Sequence, residues 1–474
     1  MCRHGSQGRL RSKVQSTRGM MIDEGGAVLR GVLSAEMVET AVKGAQVKYR
    51  KCLFTPLVTL WTFLMQTLSA DGSCREAVAK LMAMVSGAQL LDVGDLDPET
   101  GPYCKARKRL SQPLVTRLAR ETANALHKKY PAGKLLNGRR IKVADGTIVS
   151  MPDTPENQKQ YPQPSTQKPG LGFPLMRIVA VMSLQCGAVL DVAFGPYAGK
   201  RTGETAMLRT LFSTLKTGDV LLGDRYYASY WMIAMLQQRG VDTLFRQHQH
   251  RKIDFRCGTR LGRDDHLITM PKPRQRPEWM TRAIYRQLPE QMTVREVRVR
   301  VQQRGYRVKT LVLVTTLLDA QLYNKQEIAE AFRQRWHVEL DLRSIKQAMG
   351  MSVLRCKTPN MVQKEVWVHM LAYNLIRTVM ARAAEQAGIE PREVSFTGAM
   401  QTINAFAPVL EMADEADHPR LWEILLRMMA RHRVGDRPGR YEPRAVKRRA
   451  KPIALLTEPR DVARARLVKA GANK

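Results

Sequence analysis

The chain of 474 residues has little of three things: acidic residues, paired cysteines and long apolar runs. It has 43 Asp and Glu against 77 Lys and Arg, which gives a formal net charge of +34. Each Lys or Arg near a phosphate releases a counterion, so a surplus of this size is typical of a protein that binds a polyanion. Because 44% of the residues are hydrophobic, the chain can also bury a core. The composition therefore disfavours a small-metabolite enzyme with a neutral surface and favours a folded nucleic-acid-binding protein.

The seven cysteines are scattered singly, and none of them forms a CxxC motif. Their odd number and their spacing argue against a disulfide framework and a structural zinc site, and favour idle thiols in a reducing compartment. No apolar run reaches the roughly 18 residues that a membrane helix requires. The basic N-terminus also lacks the apolar segment of a secretory signal. We therefore expect a cytoplasmic protein without a membrane span.

Hydrophobic periodicity changes along the chain. Residues 26–130 show helical spacing, with Ser34 as a predicted N-cap and a basic cluster at 105–109. From residue 139 to 247 the pattern predicts strand, strand, strand, helix, strand, helix, strand, which is typical of a mixed α/β sheet. Alternating runs in 248–316 predict β-hairpins, and 324–349 predicts one long helix. The chain from 431 onwards holds 14 Lys and Arg against 4 Asp and Glu and shows no amphipathic period, which predicts a flexible arm.

These patterns divide the chain into six predicted segments. They are a basic N-terminal segment (1–25), a helical, DNA-binding domain (26–130), the first part of an α/β core (131–247), a β-rich insertion (248–316), the second part of the core (317–430) and a basic, Pro-rich tail (431–474).

Two aspartates follow hydrophobic segments that read as strands. Asp145 is predicted to end the first strand, with Gly146 letting the backbone turn, and Asp224 to end the fourth. If these strands are neighbours, both carboxylates emerge at the same edge of the sheet. Carboxylates that lie a few ångströms apart repel each other, and a divalent cation is the usual remedy. For either residue alone, a cap or turn role is the alternative.

A third carboxylate lies on the predicted long helix. Phe332, Arg335, Glu339 and Lys346 stand at offsets of 0, 3, 7 and 14, which places them within a sector of roughly 60° on one helix face. Ion pairing between residues four apart explains Arg335 and Glu339 equally well. It does not explain why an aromatic residue shares the face.

The pattern Phe332-x2-Arg335-x3-Glu339-x6-Lys346 resembles the Y-x2-R-x3-E-x6-K signature of the IS4-type transposases. The segments ADGT around Asp145 and GDRYY around Asp224 resemble the two aspartate motifs of the same family, and the similarity spans roughly residues 40–460. One departure is Phe332, where the family has Tyr, so a phosphate contact through that hydroxyl would be absent.

The resemblance implies an RNase H-like mixed-sheet catalytic domain in which Asp145, Asp224 and Glu339 are both catalytic residues and ligands of two Mg²⁺ or Mn²⁺ ions. Arg335 and Lys346 would hold the phosphates of transposon ends. The implied activity is cut-and-paste transposition: cleavage of inverted-repeat ends and their joining to target DNA. The implied assembly is a homodimer on double-stranded DNA, associated with the nucleoid when bound.

Further residues are weaker candidates for DNA contact. Phe332 can pack or stack. Arg225, Tyr226 and Tyr227 directly follow Asp224 and can contact backbone phosphate, with plain packing as the alternative. A hairpin intermediate, as in the family, requires an aromatic residue that receives a flipped base, for which Trp279 is a candidate, with burial in the core as the alternative. The histidines of the insertion are predicted to be solvated or to face phosphates. Two other functions stay open: a non-catalytic DNA-binding regulator derived from a transposase, and an RNase H-like nuclease.

Overall fold

A computed structural model of the chain describes residues 32–33, 35–44, 53–87, 98–130, 133–199, 202–300, 310–435 and 455–469. The predicted N-cap Ser34, the basic segment 1–25 and most of the tail (436–454 and 470–474) lie outside the described residues. None of the helices in these described ranges combines the length and the apolar character that spanning a bilayer requires.

The N-terminal region is helical, as the periodicity predicts. Its described helices are α1 (Ala35–Gly44), α2 (Pro56–Leu68), α3 (Cys74–Gly87), α4 (Thr100–Arg109) and α5 (Gln112–Lys129). Thr55 caps α2 by accepting a hydrogen bond from the Val58 N–H, and Pro56 stands in the first turn, where no N–H is needed. The helix α2 carries apolar residues on all of its sides, and most of its residues are buried.

A mixed α/β sheet forms the centre of the fold. Its nine described strands are β1 (Ile141–Ser150), β2 (Leu175–Ser183), β3 (Val189–Pro196), β4 (Val220–Gly223), β5 (Asp242–Arg246), β6 (Thr259–Gly262), β7 (Asp265–Pro271), β8 (Gln291–Arg300) and β9 (Thr310–Thr315). The strand order is β3-β2-β1-β4-β5-β9-β8-β7-β6. Only the β1–β4 and β4–β5 pairs are parallel, and all other neighbours are antiparallel.

The strands of the β-rich insertion continue the main sheet, because β9 pairs with β5. The predicted hairpin appears as the antiparallel pair of β8 and β9. The short helix α9 (Arg282–Gln287) precedes β8. The insertion therefore extends the edge of the sheet.

Side chains alternate between the two faces of the sheet, as strand geometry requires. Val143 joins the core that contains the N-terminal and C-terminal helices, whereas Ala144 joins a second core on the opposite face. Two helices that follow β3 and β4 cover this second face: α7 (Glu204–Thr210) and α8 (Tyr230–Gln237).

The C-terminal half supplies the longest helix on the face of the sheet that carries Val143. It contains α10 (Lys325–Gln334), α11 (Trp336–Arg343), α12 (Pro359–Gln386), α13 (Phe396–Met412) and α14 (His418–Arg431). The apolar residues of 366–384 predict a hydrophobic helix, which appears as α12, most of whose residues are buried. Such all-round burial is expected of a helix that is apolar on every side.

Three predictions of local structure were wrong. Asp145 lies in the middle of β1, because β2 pairs with β1 far beyond the end of β4. The Pro, Gln, Ser and Gly residues of 152–172 predict a loop, but this segment contains α6 (Pro155–Gln160), which Thr154 caps. The predicted long helix is interrupted, since α10 ends at Gln334 and a π-helical turn follows α11. Most of the predicted flexible arm lies outside the described residues, and its described part contains α15 (Arg460–Lys469), none of whose residues is buried.

Candidate active site

The two predicted aspartates meet at one edge of the parallel strands. Val143 of β1 lies opposite Leu222 of β4, and Asp145 and Asp224 each follow two residues later along their chains. Because the strands are parallel, both aspartates are carried to the same end of the β1–β4 pair. This is the neighbourhood that the sequence predicts, although β1 itself continues past it to Ser150.

Glu339 reaches the same place from α11. Arg335 donates a hydrogen bond from Nη2 to Glu339 Oε1 at 2.6 Å, and its Nη1 lies 3.8 Å from Asp145 Oδ2. The ion pair between residues four apart therefore forms, and the same guanidinium also faces the first aspartate. An open cleft between β1 and this helix is lined by Asp145, Thr147, Glu339, Lys346 and Ser352, among others. The predicted helix face is thus the wall of a cleft.

The position of Glu339 depends on a buried neighbour on α11. Asp341 is 1% exposed and pairs with Arg377 of α12 and with Arg392, whose Nη1 lies 2.6 Å from Asp341 Oδ2. Arg392 also donates to the carbonyls of Ser183 and Leu184 after β2. A charged group this deeply buried persists only when it is paired and hydrogen-bonded. The network ties the Glu339 helix to α12 and to the sheet.

Glu339 lies in the α-helix α11, whereas Lys346 lies in the π-helical turn that follows it. Residues Ser344–Ala348 form a π-helical turn, in which the Met349 N–H donates to the Ser344 carbonyl. Such turns are rare and occur often at functional sites. After this turn, the carbonyl of Ser352 accepts a hydrogen bond from the Ser150 N–H. This bond holds the segment after the turn beside the end of β1. The turn carries Lys346 to the cleft that Asp145 and Glu339 line.

Burial and like charge act together on Asp145. Burial raises the pKa of Asp145 to about 6, and Arg335 and the Gly146 N–H act in the opposite direction. The carboxylates of Glu339 and Glu204 also raise that pKa. Carboxylates that are crowded in this way favour a cation between them.

Glu204 is a carboxylate that the sequence analysis did not identify. It stands in the first turn of α7, and burial raises its pKa, with a further contribution from Asp224 and an opposing one from Arg177. Its side chain lies against Gly146, where an added Cβ would come within 2.5 Å of the Glu204 carboxyl carbon. Gly146 therefore makes room for Glu204. The prediction that Gly146 lets the backbone turn is wrong, because this residue lies inside β1.

Tyr227 is a second group that differs from expectation. It was predicted to contact DNA, but it is 0% exposed, whereas the neighbouring Tyr226 is 64% exposed. Gly223 allows this burial, since a Cβ there would lie 2.6 Å from the Tyr227 ring. The Tyr227 hydroxyl has no hydrogen-bond partner of normal geometry, although it is close enough to Glu204 to lower the pKa of that residue.

Cationic side chains line the Asp224 side of the site. Arg225 donates from Nη1 to Gln249 Oε1 at 2.6 Å and is partly exposed. Arg246, at the end of β5, was not singled out in the sequence. Burial lowers its pKa, Arg225 and Arg335 lower it further, and Asp224 opposes them. Three arginines thus surround the acidic centre.

The two aromatic candidates are largely covered. Phe332 is 8% exposed and belongs to the first core, with the Arg335 guanidinium 5.8 Å from its ring centroid. Trp279 is half-buried against the second core, and the Arg209 guanidinium lies 3.6 Å from its ring centroid. In this arrangement the one ring packs in the core and the other is stacked on an arginine.

The histidines of the insertion do not form a metal site. His266 was predicted to be solvated or to face a phosphate, but it is 1% exposed and its Nε2 lies 3.1 Å from Glu296 Oε2. His248 and His250 lie on the loop after β5, where the Nδ1 of His248 accepts from the His250 N–H. These histidines stabilise local structure.

The acidic centre has the ligand chemistry that Mg²⁺ and Mn²⁺ prefer, which is carboxylate oxygen. Among the described residues, no three His, Cys, Asp or Glu side chains are close enough together to hold one ion as they stand. Arg335 lies between Asp145 and Glu339, and the unpartnered Tyr227 hydroxyl points to a polar group missing nearby. The donor set therefore fits a divalent cation in kind, and the carboxylates must close around it.

Comparison with known proteins places this arrangement in a family. The model of the family described as "Transposase DDE domain" matches residues 136–375, a range that contains the three predicted catalytic carboxylates. The chain is 29% identical over 356 residues to the transposase InsG for insertion sequence element IS4 of Escherichia coli K12, covering 73% of this chain and 76% of InsG.

A second relative and one solved structure match shares of this chain that differ from the share matched by InsG. The putative transposase InsZ of Escherichia coli K12 is 28% identical over 137 residues, which are 29% of this chain and 45% of InsZ. The structure of the piggyBac transposase in a synaptic complex with hairpin DNA covers 85% of this chain and 84% of its own, with a TM-score of 0.41 and 7% identity.

Proposed function

This chain belongs to the IS4-type family of DDE transposases, and on that premise we propose that it cleaves the inverted-repeat ends of an insertion sequence and joins them to target DNA. The observation that carries the proposal is the convergence of Asp145, Glu339 and Arg335 in one cleft. Asp224 completes the set from the end of β4. The proposed reaction is cut-and-paste transposition by phosphoryl transfer.

The proposed fold of the catalytic domain is RNase H-like. The strand order β3-β2-β1-β4-β5, with β2 antiparallel to its neighbours, supports it. In this arrangement the first aspartate lies on the central strand and the second at the end of the adjacent parallel strand. We further propose that residues 26–130 bind DNA, for which the exposed Lys105, Lys108 and Arg109 at the end of α4 are the support.

Two divalent cations, when bound, would supply a polarised nucleophile and a stabilised leaving oxygen. Asp145, Asp224 and Glu339 would hold them, since all three are carboxylates at one site. For this the Glu339 carboxylate has to leave Arg335, which is free to turn towards a DNA phosphate as a bidentate donor. Lys346 faces the same cleft as a point charge for a second phosphate. A dimer on paired transposon ends is the assembly we propose.

The test is end cleavage on DNA that carries the inverted repeats flanking the reading frame. Asp145→Asn and Glu339→Gln are expected to abolish Mg²⁺-dependent cleavage while DNA binding in a gel-shift assay persists. Glu330→Gln is the matched control, since Glu330 lies on the preceding helix and pairs with Arg333. Cleavage at the wild-type rate by the first two variants would refute the proposal. Binding without any metal-dependent nicking by the wild type would favour a regulator, and cleavage without joining a nuclease.

A further inference from the structure

Glu204 approaches the active site from the opposite face of the sheet to Glu339. By strand alternation Asp145 shares the face of Val143, and Gly146 shares the face of Ala144, which α7 covers. With no side chain at position 146, the Glu204 carboxyl lies directly against the backbone of β1. Because β4 has ended at Gly223, the edge of β1 beside Asp145 is open. No side chain at position 146 separates Glu204 from β1, and Glu204 is close enough to both aspartates for the charges to act on each other.

An ordinary role in the helix does not account for this position. An acidic residue in the first turn stabilises a helix through its dipole and needs only to face solvent. Glu204 is instead partly buried, and its carboxyl faces a strand that carries another carboxylate. Among the described residues, no Lys, Arg or His forms an ion pair with Glu204. Arg177 lowers the pKa of Glu204 from a distance, while its Nη1 donates to the Thr202 carbonyl.

The Tyr227 hydroxyl is an independent indication of a missing ligand. It is completely buried and has no hydrogen-bond partner of normal geometry, although it is close enough to Glu204 to lower the pKa of that residue. Its charged neighbours also include Asp145 and Asp224. A buried hydroxyl without a partner costs roughly 1–3 kcal/mol unless water or an ion-bound water satisfies it. A hydrated cation between Tyr227 and Glu204 would supply a hydrogen-bond partner for the hydroxyl and a positive charge for the carboxylate.

We propose that Glu204 is a fourth carboxylate of the catalytic cation site, where it binds a hard divalent cation such as Mg²⁺ or Mn²⁺ together with Asp145 and Asp224. This inference rests on the proposed function. Three carboxylates carry a charge of −3 against +4 for two divalent ions, and the DNA phosphate supplies the remainder only after DNA has bound. A fourth carboxylate balances the charge before that, so Glu204 favours cation binding in the DNA-free protein.

The test is Mn²⁺ binding to the full chain without DNA, followed by the electron paramagnetic resonance signal of free Mn²⁺. Glu204→Gln is expected to weaken Mn²⁺ binding roughly tenfold or more, the loss typical of removing a group that supports a metal site. Glu156→Gln is the matched control, because Glu156 also lies in the first turn of a short helix but is exposed. Wild-type Mn²⁺ affinity in Glu204→Gln would overturn the proposal.

Thermal unfolding without metal separates ligand binding from a structural role. Glu204→Gln removes one of several crowded carboxylates, so its unfolding temperature is expected to equal or exceed that of the wild type. If this variant does not fold, Gly146→Ala takes its place, since the added methyl group displaces the Glu204 carboxyl and keeps its charge. Weaker Mn²⁺ binding by Gly146→Ala supports the proposal, and unchanged binding refutes it.

Asp145→Asn distinguishes this proposal from the broader one. If Asp145→Asn loses Mn²⁺ binding and DNA cleavage while Glu204→Gln retains both, only the role of Glu204 fails. If Asp145→Asn retains both, the proposed function itself fails.

Discussion

The outer half of the sheet and the acidic centre of the inner half treat carboxylates in opposite ways. In the outer half (β9, β8, β7 and β6), Asp265 forms a two-pronged ion pair with Arg295, at 2.6 and 2.8 Å, and Glu296 accepts from Gln247 and contacts His266. In the inner half (β3, β2, β1, β4 and β5), Asp145 and Glu204 crowd each other, with Arg335 as the nearest cation to Asp145.

This difference indicates where the molecule uses charge for stability and where it keeps charge for a ligand. Burying an ion costs several kcal/mol unless partners within the fold compensate it. The outer half supplies those partners from its own strands. The inner half also pairs Asp191 with Arg120 and Asp219 with Lys142. Only its acidic centre leaves the compensation incomplete, which is expected where a cation or a phosphate completes the site.

The largest expected effect is on catalysis in the inner half. Asp224→Asn is expected to lower the rate of Mg²⁺-dependent DNA cleavage by about 10³-fold or more, since metal-ion stabilisation of a transition state amounts to several kcal/mol. The thermal unfolding temperature should not fall, because the variant removes a charge that lacks full compensation. Gel-based cleavage rates and calorimetry measure the two quantities. A large loss of stability with normal cleavage would reverse the comparison.

The outer half should show the opposite result. Asp265→Asn leaves Arg295, which is 0% exposed, without its carboxylate, and is expected to lower the free energy of unfolding by about 3–5 kcal/mol. Urea denaturation followed by circular dichroism measures this loss. Asp254→Asn is the control, because its partner Arg256 is exposed, and it should leave stability unchanged within error. A stable Asp265→Asn variant would show that the outer ion pairs do not hold the sheet.

A third test asks whether every buried titratable group near the inner half is functional. His127 of α5 is 4% exposed, and its Nδ1 lies 3.0 Å from the Ser183 hydroxyl. Burial lowers the pKa of His127 to about 4, Lys142 and Arg140 lower it further, and Asp219 opposes them. We interpret His127 as a structural residue.

The sign of the pH effect follows from that lowered pKa. Between pH 6.5 and 4 the unfolded chain binds a proton at His127 that the folded chain does not bind, so acid favours unfolding. The stability contributed by neutral His127 is complete above pH 6.5, and about 3 kcal/mol should be lost by pH 4. Urea titrations at several pH values should show a flatter profile for His127→Gln. An unchanged profile would assign the effect to other groups.

The smallest expected effect concerns phosphate binding. Lys346→Gln is expected to weaken binding to transposon-end DNA several-fold and to reduce the slope of log affinity against log salt by about 1. Lys252→Gln, at an exposed position in the outer loop, is the comparison variant. Fluorescence anisotropy at several salt concentrations measures both. Equal salt slopes for the two variants would remove Lys346 from the proposed DNA contact.

Much of the architecture could be read from local patterns. The alternation around Asp145 predicts a strand, the spacing of Arg335 and Glu339 predicts an ion pair, and both appear in the structure. Such features depend on residues that are neighbours along the chain or one helical turn apart. The interruption of the long helix at Arg335 and the π-helical turn were not predicted, because packing against β1 decides them.

Glu204 shows why the rest of the candidate site could not be predicted. In the sequence it is an ordinary first-turn acid, 59 positions from Asp145, and Gly146 resembles a turn residue. The signal that could have found it is the pair of glycines beside the two aspartates, since Gly146 and Gly223 each make room for a side chain from elsewhere. The role of these glycines becomes visible only when the fold has brought Glu204 to Gly146 and Tyr227 to Gly223.

The surplus of positive charge, most of the helices and strands, and the family signature around Asp145, Asp224 and Glu339 can all be read from the sequence. The burial of Tyr227, the position of Glu204 against Gly146 and the pairing of the outer carboxylates appear only in the folded chain. Composition and periodicity act over a few residues. The pairing of charges and the filling of space depend on which distant segments the sheet brings together.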